Sequence, residues 1–409
     1  MKLSLSIIWY IASVLIIYSG IKYSIKYKFI QLNIEEIKKA IKSKSNNNVS
    51  PISSLCISLA AKIGVGSLSG IALAIYYGGI GTIFWICLIS LIISINTYVE
   101  CKLGIKYRIK NKDNYLGGPS YYIKKCLNNK KLSYLYSILI IITYSILFLS
   151  IQTNTIINTF NHFNINSIYT SIFLFIITFI IIIKDIKGIS TINTIIVPIM
   201  LIFYLILGIY IFIANINMIS EIIMQVLKSA FNIRSIIPVF LIGMQRAIFI
   251  TESSIGTSAI SASICDNNPH KQGMLEVFGI YVTIFIVCLT TFILIVTSDY
   301  ELINYQVTSG IDLVIYAFNY HFGSRGIIFL SIITTLFAFS TIVASYYFGE
   351  SNLIFLNNHK KIKLLYMFIF FVTIIISSYI KANILWNLTD YFIALLAIIN
   401  VSAILKIDT

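Results

Sequence analysis

Apolar segments long enough to cross a lipid bilayer recur from one end of the chain to the other. A membrane-spanning helix needs roughly 20 mainly apolar residues, and lipid offers no hydrogen-bond partners to an exposed backbone. Hydrophobic residues make up 58% of the chain and charged residues 11%. We therefore predict an all-α polytopic membrane protein with about 11 transmembrane helices. The predicted spans are residues 3–21, 52–77, 80–101, 133–159, 167–183, 189–213, 237–264, 273–297, 326–348, 364–380 and 384–405.

The positions of the basic residues favour one orientation in the membrane. If the N-terminus lies outside, the cytoplasmic connections hold 23 of the 30 Lys and Arg residues and the outer ones hold 5. Cytoplasmic loops of membrane proteins typically carry such an excess. We predict a multi-pass protein of the cell (plasma or inner) membrane with its C-terminus in the cytoplasm. Because the net charge of +15 is concentrated in short connections, we do not expect binding to nucleic acid.

One predicted span, within residues 59–79 (LAAKIGVGSLSGIALAIYYGG), is interrupted at its centre by small and polar residues. Lys62, Gly64, Gly66, Ser67 and Gly70 fall within nine positions. Glycine in a helix interior costs about 1 kcal/mol relative to alanine, so this composition favours local unwinding. Unwound backbone at membrane depth is tolerated where it is buried or lines a cavity. A close helix–helix contact between small residues is the alternative.

A second span, residues 237–264, is also polar at its centre and carries Arg246 and Glu252. The stretches KIGVGSLSGIA and ESSIGTSAISA can be superposed with Gly66 on Gly256, five spans apart and in opposite orientations. Interrupted helices at equivalent places in two inverted halves are the sequence sign of an inverted-repeat transporter. We predict a transporter core at 52–409, with repeats at 52–213 and 237–405. Residues 1–51 would form a peripheral transmembrane helix and a cytoplasmic amphipathic helix at 29–42.

Several motifs resemble the alanine/glycine:cation symporter family, which is sodium:alanine symporter-like and has the leucine-transporter fold. They are GVGSLSGIALAIYYGGIGTIFW (64–85), GGPSYYI (117–123), QTNT (152–155), VPIM (197–200), FITESSIGTSA (249–259), HKQG (270–273), FAFSTIVASYYFGE (337–350) and WNLTDYF (386–392). The resemblance covers most of the chain in the expected order. It implies a 5+5 inverted repeat with one extra N-terminal helix, and sodium-driven import of a small neutral amino acid by alternating access.

The resemblance also implies positions for substrate and ion. The substrate-binding residues would be Gly64, Val65, Gly66, Ser67, Gln152, Phe249, Thr251, Ser253, Thr341 and Ser345. The outer half-helix beginning near Gly66 would present its N-terminal amides to a carboxylate. Unwound carbonyls from Phe249 to Thr251 would accept hydrogen bonds from an ammonium group. A sodium ion, a hard cation that prefers oxygen ligands, would be held by Ile63, Gly66, Ser340 and Thr341.

Some residues depart from the family pattern. Ser67 and Thr251 stand where the family has Asn, Ile80 replaces a Pro, Ser253 and Ser254 replace Ala-Gly, and Thr283 replaces an Asp. Ser345 replaces a Trp that encloses a small side chain, from which we hypothesise a substrate larger than alanine or glycine.

The two broken spans contain three charged residues, Lys62, Arg246 and Glu252, and each is expected to have an interaction partner. Lys62 either extends toward the cytoplasm along its apolar stem or reaches the sodium cavity as a fixed charge; we favour the first. Glu252 is expected to pair with Arg246 or to lie against polar neighbours, with a gating or coupling role equally open.

Other classes of function are less consistent with the sequence. The four histidines fall in predicted connections and no HExxH motif occurs, so we do not expect an enzyme. A channel would need a repeated pore loop, and none is apparent. A proton-coupled or uncoupled transporter with a larger substrate, and a non-transporting amino-acid sensor, remain as alternatives. We expect a monomer in the lipid bilayer.

Overall fold

The computed structural model of the protein describes residues 2–43, 49–111, 114–298 and 310–407. Parts of the predicted domain 1–51 and of the connection 102–132 therefore lie outside the described residues. The helices are α1 (Lys2–Lys26), α2 (Ile34–Ile41), α3 (Pro51–Lys62), α4 (Val65–Gly78), α5 (Thr82–Lys106), α6 (Pro119–Cys126), α7 (Lys130–Ile142), α8 (Leu149–Asn161), α9 (Ser167–Ile182), α10 (Asp185–Ala214), α11 (Ile216–Ala230), α12 (Ile236–Thr251), α13 (Thr257–Ala262), α14 (Pro269–Val282), α15 (Leu289–Val296), α16 (Gly310–Phe322), α17 (Gly326–Leu356), α18 (Lys360–Ile376) and α19 (Ala382–Lys406).

The prediction of a polytopic helical membrane protein is confirmed. Within the described ranges, eight helices are long and apolar enough to cross a membrane, and α3 with α4 forms a ninth candidate. Helices α9 and α12 are apolar but shorter, and they account for the other two predicted spans. Two continuous spans contain π-helical segments: Thr143–Phe148 joins α7 to α8, and Thr283–Cys288 joins α14 to α15.

The all-α prediction missed a small β-hairpin between α5 and α6. Strands β1 (Ile109–Asn111) and β2 (Asn114–Leu116) pair antiparallel, with Ile109 opposite Leu116. Each strand has only three residues, too few to show the alternation of apolar and polar residues by which a strand is recognised.

The predicted amphipathic helix at 29–42 corresponds to α2. Its N-terminus is capped by the Asn33 side chain, which accepts hydrogen bonds from the Glu35 and Glu36 amides in the way that Asn favours at this position. Helix α2 packs against α14, where the Glu36 carboxylate lies 3.0 Å from His270 Nε2. Hydrogen bonds from Lys39 and His270 lower the pKa of Glu36, because they stabilise its ionised form.

Both predicted helix interruptions are present. Helix α3 ends at Lys62 and α4 begins at Val65, with a bend of 41° between their axes. Helix α12 ends at Thr251 and α13 begins at Thr257. In this second break Glu252, Ser254 and Gly256 have φ angles of 50°, 75° and 101°, a left-handed region that L-residues other than glycine rarely adopt.

The helices that surround the first break position the candidate site. Helix α17 packs against α3 and α8, while α12 packs against α4 and α5. The N-terminal helix α1 lies against α5 and α19, where the Tyr23 hydroxyl donates to the Ile404 carbonyl at 2.8 Å. The first break is therefore enclosed by helices from distant parts of the sequence.

Candidate functional site

The N-terminus of α4 meets the side chain of Gln152 on α8. The Val65 amide donates to Gln152 Oε1 at 3.0 Å, which satisfies one of the amides that every helix leaves without an intrahelical acceptor. The Ser67 hydroxyl donates to the Gly64 carbonyl at 2.6 Å. Gln152 is 1% exposed, so this hydrogen bond is formed away from solvent.

The two glycines of the break are covered by side chains from other helices. A Cβ atom added to Gly64 would lie 2.6 Å from Thr341 Oγ1 and 2.9 Å from Gln152 Oε1. One added to Gly66 would lie 2.7 Å from Cε1 of Phe249. Real Cβ atoms do not approach other atoms this closely, so a larger residue at either position requires the surroundings to shift.

An aromatic cluster adjoins the break. Phe249 stacks on Phe148 with ring centroids 5.1 Å apart, and lies 5.0 Å from the Trp386 ring of α19. A cavity of about 10 Å³ lies beside Trp386 and is also lined by Ser69 and Asn154, which is close to the space one water molecule needs. In this conformation the aromatic rings cover the break.

Two neighbouring hydroxyls of α17 differ in their surroundings: Thr341 bonds to α3, whereas Ser340 lies beside Met200 of α10. Thr341 Oγ1 donates to the Ala60 carbonyl at 2.6 Å and to the Phe337 carbonyl at 2.9 Å. Ser340 Oγ donates to Phe337 at 2.9 Å and lies 3.8 Å from the Met200 sulfur. Ile63 is fully buried at the C-terminus of α3. Because the described residues contain no group of three His, Cys, Asp or Glu side chains suited to a metal, a cation here would depend on carbonyl and hydroxyl oxygens.

The second break contributes backbone carbonyls. Helix α12 ends at Thr251, so the carbonyls of Phe249, Ile250 and Thr251 are among those a helix end leaves without intrahelical partners. The Ser253 amide donates to the Thr251 hydroxyl at 3.3 Å, which itself donates to the Ala247 carbonyl.

The structure does not bring the Ser253 side chain to this cluster. Its hydroxyl donates to the Ile93 carbonyl of α5 at 2.7 Å and accepts from Thr97 at 2.9 Å. The left-handed residues on either side of Ser253 alter the chain direction, so helical spacing does not predict where this side chain points. Ser345 lies one turn after Thr341, is fully buried, and its hydroxyl has no hydrogen-bond partner.

The predicted snorkelling of Lys62 is wrong, and its ammonium group does not bond to the Thr341 or Ser340 hydroxyls. Lys62 Nζ lies 2.9 Å from Glu276 Oε2 of α14, and neither side chain has exposed surface. The Ser58 hydroxyl donates to the same oxygen at 2.5 Å and accepts from Lys62 at 2.8 Å. A carboxylate within the bundle therefore gives the ammonium group a partner without access to water.

Glu252 and Arg246 are not paired. The Arg246 guanidinium forms an ion pair with Asp390 of α19 and lies 5.4 Å from the Phe249 ring centroid, a cation–π distance. Glu252 Oε2 accepts from the Thr257 hydroxyl at 2.8 Å. Of the two expectations for Glu252, contact with polar neighbours is the one the structure shows.

Sequence reasoning missed Glu276, Asp390 and Trp386. Glu276 and Asp390 are charged residues within otherwise apolar predicted spans. A charge at such a position indicates a functional role or an ion pair, so both could have been identified from the sequence. Trp386 belongs to a motif that the family resemblance includes, but its contact with Phe249 depends on the packing of α19.

Comparisons with known proteins decide the family. The model of the Sodium:alanine symporter family matches residues 2–409. The chain belongs to this family. Proteins with similar sequences include the "Probable sodium/glutamine symporter GlnT" of Bacillus subtilis. It is 31% identical over 96% of this chain and 84% of that protein. The "Amino-acid carrier protein AlsT" of the same organism is 30% identical over 97% and 87%. The "Sodium/proton-dependent alanine carrier protein" of Bacillus sp. (strain PS3) is 32% identical over 78% and 75%.

Membership of the sodium:alanine symporter family confirms several predictions. The protein is a multi-pass membrane transporter of the amino-acid:sodium symporter class, and it is not an enzyme. The inverted repeat, the orientation of the termini, the oligomeric state and the residues that bind substrate and ion stay predictions.

Proposed function

We propose that this protein imports a small neutral amino acid together with sodium, by alternating access around the two broken helices. The observation that carries the proposal is the cluster at the first break, where Gln152 meets the Val65 amide and Thr341 meets the Ala60 carbonyl. It places an anion-accepting helix N-terminus next to a set of oxygen atoms. An amino acid and a sodium ion need these two chemistries side by side.

The substrate carboxylate would bind at the N-terminus of α4. Gln152 Oε1 now accepts from the Val65 amide, so it holds the position of a carboxylate oxygen. Substrate would replace this oxygen, and the Gln152 amide group would then turn to donate to the substrate. Gly64 and Gly66 support this assignment, because only glycine lets the neighbouring groups come so close to the backbone.

The substrate ammonium would bind at the second break. The carbonyls of Phe249, Ile250 and Thr251 lie at the end of α12, the negative end of the helix dipole. The amino acid would thus join the positive end of one half-helix to the negative end of another. Movement of Phe249 away from Gly66 is required, since their contact leaves no room for the substrate backbone.

Sodium would bind between α3 and α17. Thr341 and Ser340 supply hydroxyl oxygens, Ile63 and Gly66 supply carbonyls, and the Ala60 carbonyl joins this set because Thr341 already donates to it. A sodium ion would replace that hydrogen bond and take both oxygens as ligands. Because α3 is continuous with the break that binds substrate, occupation of one site would stabilise the geometry of the other.

The side chain of the substrate would extend toward Ser345. Its buried hydroxyl without a partner can form a hydrogen bond to a polar side chain, and serine is much smaller than the tryptophan of the family pattern. One relative is named "Probable sodium/glutamine symporter GlnT". We therefore propose a neutral substrate larger than alanine, of about the size of glutamine.

Uptake into proteoliposomes tests this function. Radiolabelled glycine, alanine, glutamine and leucine would be offered with an inward sodium gradient and with potassium in its place. We expect concentrative uptake only with sodium, with glutamine preferred over glycine and alanine. Strict preference for glycine and alanine would refute the size argument, and equal uptake in potassium would refute sodium coupling.

A further inference from the structure

The buried charges of the membrane domain do not balance. Among the described residues, the charged side chains that are at most 7% exposed are Lys62, Glu100, Arg246, Glu252, Glu276, Glu350 and Asp390. Lys62 pairs with Glu276, Arg246 with Asp390, and Glu350 with Lys363. Two carboxyl groups, those of Glu100 and Glu252, have no cationic side chain within ion-pair distance in the part of the chain that the structure describes.

A buried carboxylate without a cation is strongly unfavourable, because transfer from water removes its hydration and nothing replaces it. Such a group takes up a proton or binds a cation instead. Glu100 and Glu252 are therefore candidates for a proton or cation site that the proposed substrate and sodium sites do not include.

Glu100 is held by hydrogen bonds between α5 and α19. Its Oε1 atom accepts from the Asn400 amide at 2.7 Å, and the same amide donates to the Ser254 carbonyl at 2.9 Å. The Tyr122 hydroxyl donates to the Asn400 side-chain oxygen. Glu100 therefore lies in the continuous helix α5 and meets the second break from outside, through Asn400 and Ser254, and its Oε2 atom also has no partner.

Glu252 lies in the second helix break itself. It has a left-handed backbone with φ 50° and is 1% exposed. Its Oε2 atom accepts from Thr257, the first residue of α13, at 2.8 Å, while its Oε1 atom has no partner. The carboxyl group therefore joins the residue that directly follows α12 to the start of α13, with one oxygen unsatisfied.

The Tyr144 hydroxyl lies beside this carboxyl group. Tyr144 belongs to the π-helical segment Thr143–Phe148 and is fully buried. Its hydroxyl and Glu252 Oε1 have no partner of regular hydrogen-bond geometry, but the two side chains are close enough to share a hydrogen bond. That bond can run from the tyrosine to an ionised carboxylate or from a protonated Glu252 to the tyrosine oxygen. Because no cationic side chain of the described residues contacts Glu252, we take the second arrangement.

The other titratable groups around Glu252 do not supply a positive charge in contact with it. Tyr136 of α7 donates its hydroxyl to the Ile255 carbonyl in the same break. Lys62 and Glu276 interact with Glu252 at longer range, but they neutralise each other. On α12, Arg246 is neutralised by Asp390, and on α5, Glu100 is itself a carboxyl group.

We propose that Glu252 is the site at which the protein binds an exchangeable proton, with Tyr144 as the acceptor of the hydrogen bond from its protonated carboxyl group. The step moves one proton from hydronium to Oε1 and leaves water; no electrons are transferred. A proton fits better than sodium, because sodium requires several oxygen ligands. The coupling of this proton to substrate movement rests on the proposed function, whereas its binding to Glu252 does not.

Infrared spectroscopy of the full-length protein in nanodiscs tests the proton site directly. A protonated carboxyl group has a C=O absorption that disappears on ionisation. We expect such a band in the unmodified protein, with a component that is lost as the pH rises; Glu252→Gln should remove this component, and the matched variant Glu100→Gln should keep it. A band that Glu252→Gln leaves unchanged would overturn the proposal. Tyr144→Phe, which keeps the carboxyl group, should shift the titration midpoint, and an unchanged midpoint would remove Tyr144 from the proposal.

Transport measurements test the coupling separately. With L-glutamine and L-alanine as probes under a sodium gradient, we expect the substrate affinity to fall by about tenfold per pH unit above the titration midpoint if proton and substrate bind in strict linkage. Glu252→Gln should make the affinity independent of pH, while Glu100→Gln keeps the original profile. If no amino acid is taken up, the proposed function fails and the infrared result still stands. If uptake occurs but Glu252→Gln keeps the pH profile, the proposed coupling fails.

Discussion

The buried ion pair between Lys62 and Glu276 allows a quantitative test of the structure. The two side chains have no exposed surface and lie 2.9 Å apart. Lys62→Met removes the cation and leaves the Glu276 carboxylate with the Ser58 hydroxyl as its neutral partner. Removing one member of a buried pair typically costs about 3–5 kcal/mol, because the remaining charge is uncompensated. We expect Lys62→Met and Glu276→Leu each to destabilise the protein by about this amount.

The double variant should recover most of the loss. Replacing both members of a buried pair by apolar residues of similar volume is often neutral or stabilising by about 1–4 kcal/mol. Lys62→Met with Glu276→Leu is therefore expected to unfold close to the temperature of the unmodified protein. The expected coupling free energy is several kcal/mol, well above the few tenths by which independent sites deviate from additivity.

Thermal unfolding of the four proteins, followed in detergent under fixed sodium and lipid conditions, measures this coupling. Lys39→Met is the matched control. Lys39 forms a pair with Glu36 at 2.7 Å but is 62% exposed, and an exposed pair contributes at most about 1 kcal/mol. Single variants whose effects simply add in the double variant would refute the ion pair. The double variant should also keep sodium-driven uptake; loss of sodium dependence would restore Lys62 as a fixed charge of the ion site.

Two further substitutions test the proposed binding site with controls on the same helices. Gly66→Ala puts a Cβ where the Phe249 ring now lies, 2.7 Å from it, and where the substrate backbone would enter once that ring moves; it should reduce uptake by tenfold or more, whereas Gly70→Ala, whose Cβ would lie 3.8 Å from its nearest neighbours, should have little effect. Equal effects would contradict the assigned contact. Thr341→Val removes the hydroxyl that bonds to α3 and should raise the sodium concentration for half-maximal uptake about tenfold, equivalent to about 1.4 kcal/mol. Thr334→Val, whose hydroxyl bonds only within α17, should not; a similar shift would argue against the proposed ion ligands.

The positions of both helix breaks could be predicted because their signal is local. Gly64 and Gly66 lie next to small polar residues in a span that is otherwise apolar, and the break occurs between Lys62 and Val65. The same is true of Gly256, whose φ of 101° suits glycine. Composition within a window of ten residues was sufficient for this prediction.

The partners of the buried charges could not be predicted because they depend on helices far apart in sequence. Glu276 is 214 positions from Lys62, and Asp390 is 144 positions from Arg246. The sequence suggested an ion pair between Glu252 and Arg246, because the two residues are near neighbours on one predicted span. In the structure, the left-handed turn at Glu252 directs its carboxyl group toward Thr257, so proximity in sequence gave the wrong pair.

Phe249 connects the two breaks physically, and this restricts how the transporter can open. The residue belongs to α12, yet its ring lies against Gly66 of α4 and between the rings of Phe148 and Trp386. If substrate binds at the start of α4 as proposed, this ring must move, and it cannot move far without α12 or the side chains stacked on it. Binding at the first break would then disturb the second, where Glu252 joins α12 to α13. A proton held at Glu252 would favour one conformation of the break between α12 and α13. Substrate and proton could therefore influence each other's binding without direct contact.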